Sequence, residues 1–595
     1  SYMAPGAKLM TQPFFIGVDE QGWRVSGSVT MDGPLAGGHV EGLTLPVSID
    51  GSKDSGFSAF SGRKCLNLGF RQLNVSGISF GPHQLPICRA GGPAVLALDA
   101  RGRLSGGGTI DKPSLTGRMG DTPIALAAGR LALDLGGSTA RPVIGLNLAA
   151  PTVRLGDQAD ATHARAERLA LNFTGPNASG AISGVAGKLS GVPLLFDEGQ
   201  AAIRITDGVL LAQSGAARVR DAAAPARFTP VRAQDFNLRF SGQQLTGDAN
   251  IAHIGTEVAL GRMTLAHDFG AAAGKAAFQM PQLAFGSAVQ PENLTPLTLG
   301  IVANVIGAVT GHGEIRWNQA GVESDGVFST DGIALAAAFG PVNGLKGEIR
   351  FSDLLGLETP PGQVVTLAEV NPGVAVENGV VSYQLLPGLQ VQVEGGKWPF
   401  AGGELLLAPT LLDFSEPVER HFTFRVVGLD AARFVQQLEF DNFAASGLFD
   451  GILPMVFTID GGRIVGGRLV ARKPGGTLAY VGELSEADIG SAGKLAFDAL
   501  KSMRYSALAV ELDGALDGEI VSSIVFNGTN QAPVDLTGSP LAPKLTGMPF
   551  KFNIRVQAPF RGLLNTARSF TDVTATFRQA SPNPAVQAPD SEETR

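Results

Sequence analysis

Charge is the first thing this chain is short of. Asp, Glu, Lys and Arg make up 17% of its 595 residues, against roughly 25% in an ordinary soluble protein. The formal net charge is −8, and no run of five to eight residues is dominated by Lys and Arg. A phosphate-binding stripe is absent, which sets nucleic acid aside. Aromatic residues other than Phe are scarce, with 3 Trp and 4 Tyr. An outer-membrane barrel needs aromatic girdles, and a carbohydrate-active enzyme needs exposed Trp beside a carboxylate pair; neither is supplied. No segment reaches the 18 or more uninterrupted apolar residues of a membrane helix. The nearest, Leu297 to Val309, is shorter, contains Gly300 and Asn304, and reads as two short strands. No signal peptide opens the chain, and Ser1-Tyr2-Met3 reads as a processing boundary with an N-terminal anchor expected upstream.

Catalytic and metal-binding patterns are missing too. The seven histidines, His39, His83, His163, His253, His267, His312 and His421, never stand three or four residues apart, and two cysteines cannot make a four-cysteine site, so no metal is expected. Gly77-Ile78-Ser79-Phe80-Gly81 has the letters of a hydrolase nucleophile elbow, but Pro82 follows where a helix must open. No phosphate loop or paired-glycine dinucleotide loop is found. Asp and Glu beside Gly are turn residues. No cofactor is expected, and the chain reads as not an enzyme.

The two cysteines, Cys65 and Cys88, are either unrelated buried thiols or a disulfide closing a loop of about two dozen residues, worth roughly 3 kcal/mol. The strand–turn–strand character between them favours the disulfide and, with it, an oxidising compartment such as a bacterial periplasm.

What is abundant is period-two alternation. Leu131, Leu133 and Leu135 alternate with Ala132 and Asp134; Leu169, Leu171 and Phe173 with Ala170 and Asn172; Phe236, Leu238 and Phe240 with Asn237 and Arg239. Phe422, Phe424 and Val426 repeat it, as do Phe552, Ile554 and Val556. These are strands with one apolar and one wet face. Asp-Gly or Asn-Gly pairs recur at Asp32, Asp50, Asp207, Asp331, Asn378, Asp460, Asp513 and Asn527. Such pairs suit two-residue hairpins, so consecutive strands are expected to be antiparallel neighbours in a long meander. Helices are few: Ala431 to Glu439, with Asp430 as N-cap and Phe434 and Leu438 on one face, and a second after Ser485, which pairs with Asp488 in a capping box and carries an apolar stripe from Ala492 to Met503. Asp221 to Pro230, rich in Ala and Pro, reads as a loop or a soft boundary, and from about Gln579 onward the chain reads as disordered. No strict repeat is present, against a propeller or short-rung β-helix. Alternation leaves two outcomes open for the apolar face, a covered sandwich core or an open groove.

The second half carries a resemblance. Asn378-Gly-Val-Val-Ser-Tyr-Gln-Leu385 leads to Gly396-Lys-Trp-Pro-Phe-Ala-Gly-Gly403. Then come Ala445-Ser-Gly-Leu-Phe-Asp-Gly-Ile-Leu-Pro454, the pairs Gly461-Gly462 and Gly466-Gly467, and Gly475-Gly-Thr-Leu-Ala-Tyr480. Together with the stretch from Leu495 through Tyr505 to Asn530, these resemble the YdbH branch of the AsmA-like proteins, most specifically over about residues 370–535. Near the start, Cys65 to Cys88 with its closing Leu-Pro-Ile-Cys is similar to that family's cysteine pair. The resemblance implies an all-β fold: an elongated, curled antiparallel sheet, a taco-like open groove with an apolar interior and few short helices. It implies a bridge-like lipid-transfer protein anchored in the inner membrane of a Gram-negative bacterium. Such a protein reaches through the periplasm toward a small outer-membrane lipoprotein that adds strands to its sheet, with phospholipid as cargo.

The expected organisation is an N-terminal β region over 1–91 with the cysteine-linked hairpin, a groove-forming meander over 92–430, a C-terminal β region with short helices over 431–575 and a tail over 576–595. Candidate groove residues are Leu131, Leu133, Leu135, Leu169, Leu171, Phe173, Phe236, Leu238, Phe240, Phe422, Phe424 and Val426. The rival reading is a structural or adhesive extracellular β-protein that buries the same side chains in a closed core.

Overall fold

The structure is a computed structural model. It describes residues 2–559 except 5, 21, 36–37, 53–55, 60–64, 76, 91–93, 159–160, 176, 338–339, 372–374, 416–418, 438–442, 459–460, 481–500, 517, 532–546 and 548. The helix expected after Ser485 and the tail from Gln579 lie outside the described residues. The described chain holds 42 strands, and each of their described pairings is antiparallel, as between Arg130–Ser138 and Arg141–Ala149. The protein is all-β. No helix among the described residues is long and apolar enough to cross a membrane.

Two compact units divide the chain. The first comprises Ser1–Leu299, Ala308–Ser329 and Arg350–Glu358; the second comprises Gly300–Gly307, Thr330–Ile349 and Thr359–Arg595.

In the first unit the strands pair as a meander, but many are broken or bulged part-way along. Lys112 donates its N–H to Gly129 O (3.0 Å), Gly129 to Ala149 O (2.9 Å), Ala150 to Glu167 O (2.8 Å) and Glu167 to Ser183 O (3.0 Å). The line continues through register shifts at Gly184, Glu198, Ser214 and Asp235. Lys112, Ala150, Gly184, Glu198, Ser214 and Asp235 all have φ between 48° and 65°. A left-handed residue inserted into one strand bends it and shifts its pattern by one. Repeated in strand after strand, it makes a continuous crease with one limb of the sheet on either side.

The extra residue reverses the parity of alternation. Leu126 and the buried Ala128 precede the crease and Leu131 follows it; Leu148 is followed by Pro151 and Val153; Ala233 is followed by Phe236. The apolar step at the crease is three, not two. A one-residue slip would otherwise send one limb's apolar residues to the wet side. With the inserted residue, both limbs keep their apolar side chains on the same side, while Lys112, Ala150, Glu198, Ser214 and Asp235 are exposed.

A local device recurs at such bends. Gly42, Gly428 and Gly466 have φ of 63°, 64° and 66°. Each donates its N–H to a carboxylate on a paired strand: Gly42 to Asp32 (2.5 Å), Gly428 to Asp450 (2.9 Å) and Gly466 to Asp513 (2.7 Å). Arg472 grips both oxygens of Asp450 at 2.6 Å.

The Asp-Gly pairs therefore do two jobs. Only Asp207-Gly208 makes the expected hairpin among those described, with φ of 49° and 75° between Thr206 and its partner Val209. The pairs at Asp32, Asp50, Asp331, Asn378, Asp513 and Asn527 lie inside strands; Asp460 is outside the described residues. The antiparallel meander follows all the same, through other turns such as Ala401-Gly402 (φ 44° and 79°) between the paired Phe400 and Gly403. Leu297 to Val309 is not two strands: a 3-10 turn, Pro296–Thr298, precedes a single strand, Val302–Asn318. Gly77–Gly81 holds strand Ile78–Phe80 and opens no helix. Ala222 to Pro230 is a loop that follows strand Val209–Asp221.

Cys65 and Cys88 face each other across strands Cys65–Phe70 and His83–Arg89 and form a disulfide. The helix expected from Ala431 is Ala431–Gln437, with the Asp430 carboxylate accepting the Ala432 N–H at 2.8 Å and Phe434 against Phe400. The second unit has a large core among its described residues, running from Val342 to Phe526 and including Trp398, Val426, Phe457, Met503 and Tyr505. Burial pushes the Tyr505 hydroxyl up to about 12; it donates to Ser446 O (2.6 Å).

Candidate functional site

The apolar side of the first unit is ordered by register. One row of directly paired residues runs Gly108, Leu133, Leu146, Leu171, Gly180, Ile203, Ala212, Leu238, Gly247, Leu265, Ala276. At about 4.8 Å per strand, its ten steps cover roughly 48 Å. A parallel row takes in Leu135, Ile144, Phe173, Ala178, Ile205, Leu210, Phe240, Leu245 and His267. A third, shorter row is Ile110, Leu131, Leu148, Leu169, Ile182. Eight of the twelve residues expected to line a groove, Leu131, Leu133, Leu135, Leu169, Leu171, Phe173, Leu238 and Phe240, share these rows, and Phe236 covers the open backbone at Gly215.

Most of this face is half-buried. Leu131, Leu133, Leu135, Leu169, Phe173, Phe236, Leu238 and Phe240 are neither buried nor exposed; Leu171 is buried. Their strand neighbours Asp134, Asn172, Asn237 and Arg239 are exposed on the opposite side. An apolar trough of about 380 Å³ lies at the crease. Leu131, Leu148, Leu169 and Ile182 line one wall; Leu115, Leu126, Val153 and Ala164 line the other. Between them lie Pro113, Ala128, Pro151 and Ala166, small or ring-closed residues that leave room where the limbs meet. Thr152 and Arg165 are the polar residues at its border.

The three remaining candidates are in the second unit, in strand Arg420–Asp430. Phe422 and Val426 are buried at 6% and 2% exposure, with Phe422 edge-on to Phe457. Phe424 is half-buried and packs toward Trp398. Phe422 and Val426 thus contact protein on all sides.

Sequence reading missed Leu146 and Leu148, although their alternation was visible, and it missed the crease residues. For those the available signal was the three-residue apolar step, which interrupts alternation and so reads as a strand end.

Asp221 and His267 are buried titratable residues of the first unit. The Asp221 side chain is fully buried. Burial alone would raise its pKa; two hydrogen bonds from Arg227 and the N–H groups of Ala223 and Arg227 overcome this and hold it at about 2. The pair pins the loop after strand Val209–Asp221, and Arg227 O accepts from Thr295 Oγ1 (2.5 Å). His267 is buried, and its Nδ1 accepts from Trp317 Nε1 at 3.0 Å. Burial lowers its pKa, against opposing contributions from Asp268 and the Ala273 backbone. Among the described residues no group of three His, Cys, Asp or Glu is placed to hold a metal.

A family model described as YdbH-like, intermembrane phospholipid transport protein YdbH, matches residues 7–581. Comparison with curated proteins and with solved structures finds no significant match.

Proposed function

The chain belongs to the YdbH-like family of intermembrane phospholipid transport proteins, and from that premise we propose that the creased apolar face of the first unit is the surface along which acyl chains travel. The observation that carries this reading is the half-buried state of that face, which leaves the trough at the crease open to a guest. A closed sandwich would bury these Leu and Phe side chains fully.

The energetics favour such a surface. Taking an acyl chain out of an apolar phase costs about 0.8 kcal/mol per CH₂, on the order of 12 kcal/mol for sixteen carbons. A row of Leu, Ile, Ala and Gly roughly 48 Å long is longer than a leaflet is deep, about 15 Å of hydrocarbon. A chain can slide from one position to the next without entering water, and no residue need react. The charged residues of the opposite side keep the carrier itself in water.

The setting proposed is the periplasm. The Cys65–Cys88 disulfide supports an oxidising compartment. Attachment to the inner membrane through an N-terminal anchor, and strand addition by a small outer-membrane lipoprotein, belong to the same proposal and rest on the family resemblance.

The test is site-specific photo-crosslinking in living cells with probes at Leu131, Leu238 and Arg239. Phospholipid captured at Leu131 and Leu238 but not at Arg239 is the expected result. Capture at none of the three in folded protein would sink the reading in favour of a structural β-protein.

A further inference from the structure

The trough does not stay open along the whole first unit, because the outer ends of its two limbs meet. Phe240 and Phe269 pack against the cluster of Val40, Phe80, Met119 and Ile124, which belongs to the other limb. The backbone turns make the same contact: a Cβ built at Gly120 would strike the side chain of Gln243, and one built at Gly77 would lie 3.9 Å from Gly242. Further along, a Cβ on Gly191 would lie 3.9 Å from Ala272 O, Asn318 O and Trp317 Cδ1.

A chain of rings lies along this seam. The ring centroids of Phe240 and Phe269 are 5.8 Å apart, those of Phe269 and His267 4.7 Å, and those of His267 and Trp317 5.9 Å. The first two contacts are edge-to-face, a favoured aromatic geometry. No ladder of backbone hydrogen bonds joins the limbs here among the described residues: the seam is made of side chains and turns. It can part without unpairing a strand.

An acyl chain, being apolar, meets no desolvation cost among the side chains of such a seam. A charged headgroup does, because desolvating it among Phe and Leu side chains is costly. A phospholipid keeps its headgroup wet only if the limbs separate as it goes by. We propose that this seam, formed by Phe240 and Phe269 against the Phe80 and Met119 cluster and continued by His267 and Trp317, is the gate that phospholipid headgroups must part to move along the face. The proposal rests on the conduit reading above and adds to it the step at which passage is controlled.

Gly120→Cys and Gln243→Cys place two thiols across the seam, to be joined by a short bis-maleimide that alkylates both. The purified chain is assayed for moving a fluorescent phospholipid from donor to acceptor vesicles, with a photo-probe at Leu131 reporting loading of the trough. The linked protein is expected to transfer at least tenfold more slowly than the unlinked one, while Leu131 still captures phospholipid. A second variant, Phe240→Ala with Phe269→Ala, loosens the seam and is expected to transfer several-fold faster than the parent. Equal transfer by linked and unlinked protein, or an unchanged rate in the alanine variant, overturns the gate. Absence of phospholipid at Leu131 in linked and unlinked protein alike overturns the conduit reading, and the gate with it.

Discussion

Asp221 and Arg227 are the ion pair whose contribution can be isolated. The carboxylate is depressed from its ordinary value to about 2, and a group depressed on folding stabilises above its unfolded pKa and loses that contribution as pH falls through the folded one. The shift corresponds to roughly 2 kcal/mol, present above about pH 4 and fading as the pH drops toward 2. Arg227→Met leaves the buried carboxylate without its cation, and we expect a loss of roughly 3 kcal/mol at pH 7, read from urea unfolding. The deficit relative to the parent should shrink steadily between pH 4 and 2. A pH-independent deficit would mean that Arg227 acts through packing alone. The buried His267 is different: its partner is a neutral indole and burial disfavours its cation, so at neutral pH it takes part in the aromatic chain as an uncharged ring.

At the scale of the element, the bend is what the strands have in common. Most bend positions hold polar or small residues in the left-handed region, where a side chain costs about 1 kcal/mol that glycine avoids. Gly466 isolates this cost, because a Cβ there would have nothing within 4 Å. Gly466→Ala should therefore destabilise the chain by about 1 kcal/mol through backbone conformation alone, and Gly466→Asn by less, since asparagine tolerates this conformation. Equal unfolding midpoints for the parent and the alanine variant would show that the bend relaxes to an ordinary strand. The Asp-Gly signals were legible as sites needing positive φ or a turn carboxylate. Whether each closes a hairpin or creases a strand depends on what the paired strand presents: Thr206 and Val209 meet across Asp207-Gly208, whereas Asp513 lies beside Gly466 of a paired strand and takes its N–H.

Across the whole molecule, the division is between a half-buried apolar face and a closed core. Leu148 lines the half-open trough, and Val426 sits at 2% exposure in the core of the second unit. We expect Leu148→Asp to cost under about 1.5 kcal/mol, since its carboxylate keeps access to water, and Val426→Asp to cost upwards of about 3 kcal/mol as an unpaired buried charge. Phospholipid capture by the Leu131 probe should fall at least tenfold in folded Leu148→Asp protein. Severe unfolding of Leu148→Asp would instead place that face in a closed core and favour the structural reading.

The chain's own residues determined the fold class and the apolar character of one face of each strand. Alternation at Leu131–Leu135, Leu169–Phe173 and Phe236–Phe240 dictates strands with one apolar face because side chains in a strand point alternately to either side. The disulfide was legible because the segment between its cysteines turns back on itself. Tertiary structure alone decided which apolar faces stay half-open and which close. Phe422 and Phe424 follow the same alternation as Leu169 and Leu171, yet the strands around Phe422 fold over it while those around Leu169 do not. Alternation specifies a side of a strand, not what covers that side. The seam between Phe240 and Met119 was illegible for the same reason: it joins residues more than a hundred positions apart, and only the accumulated bend of the strands between them brings the two limbs together.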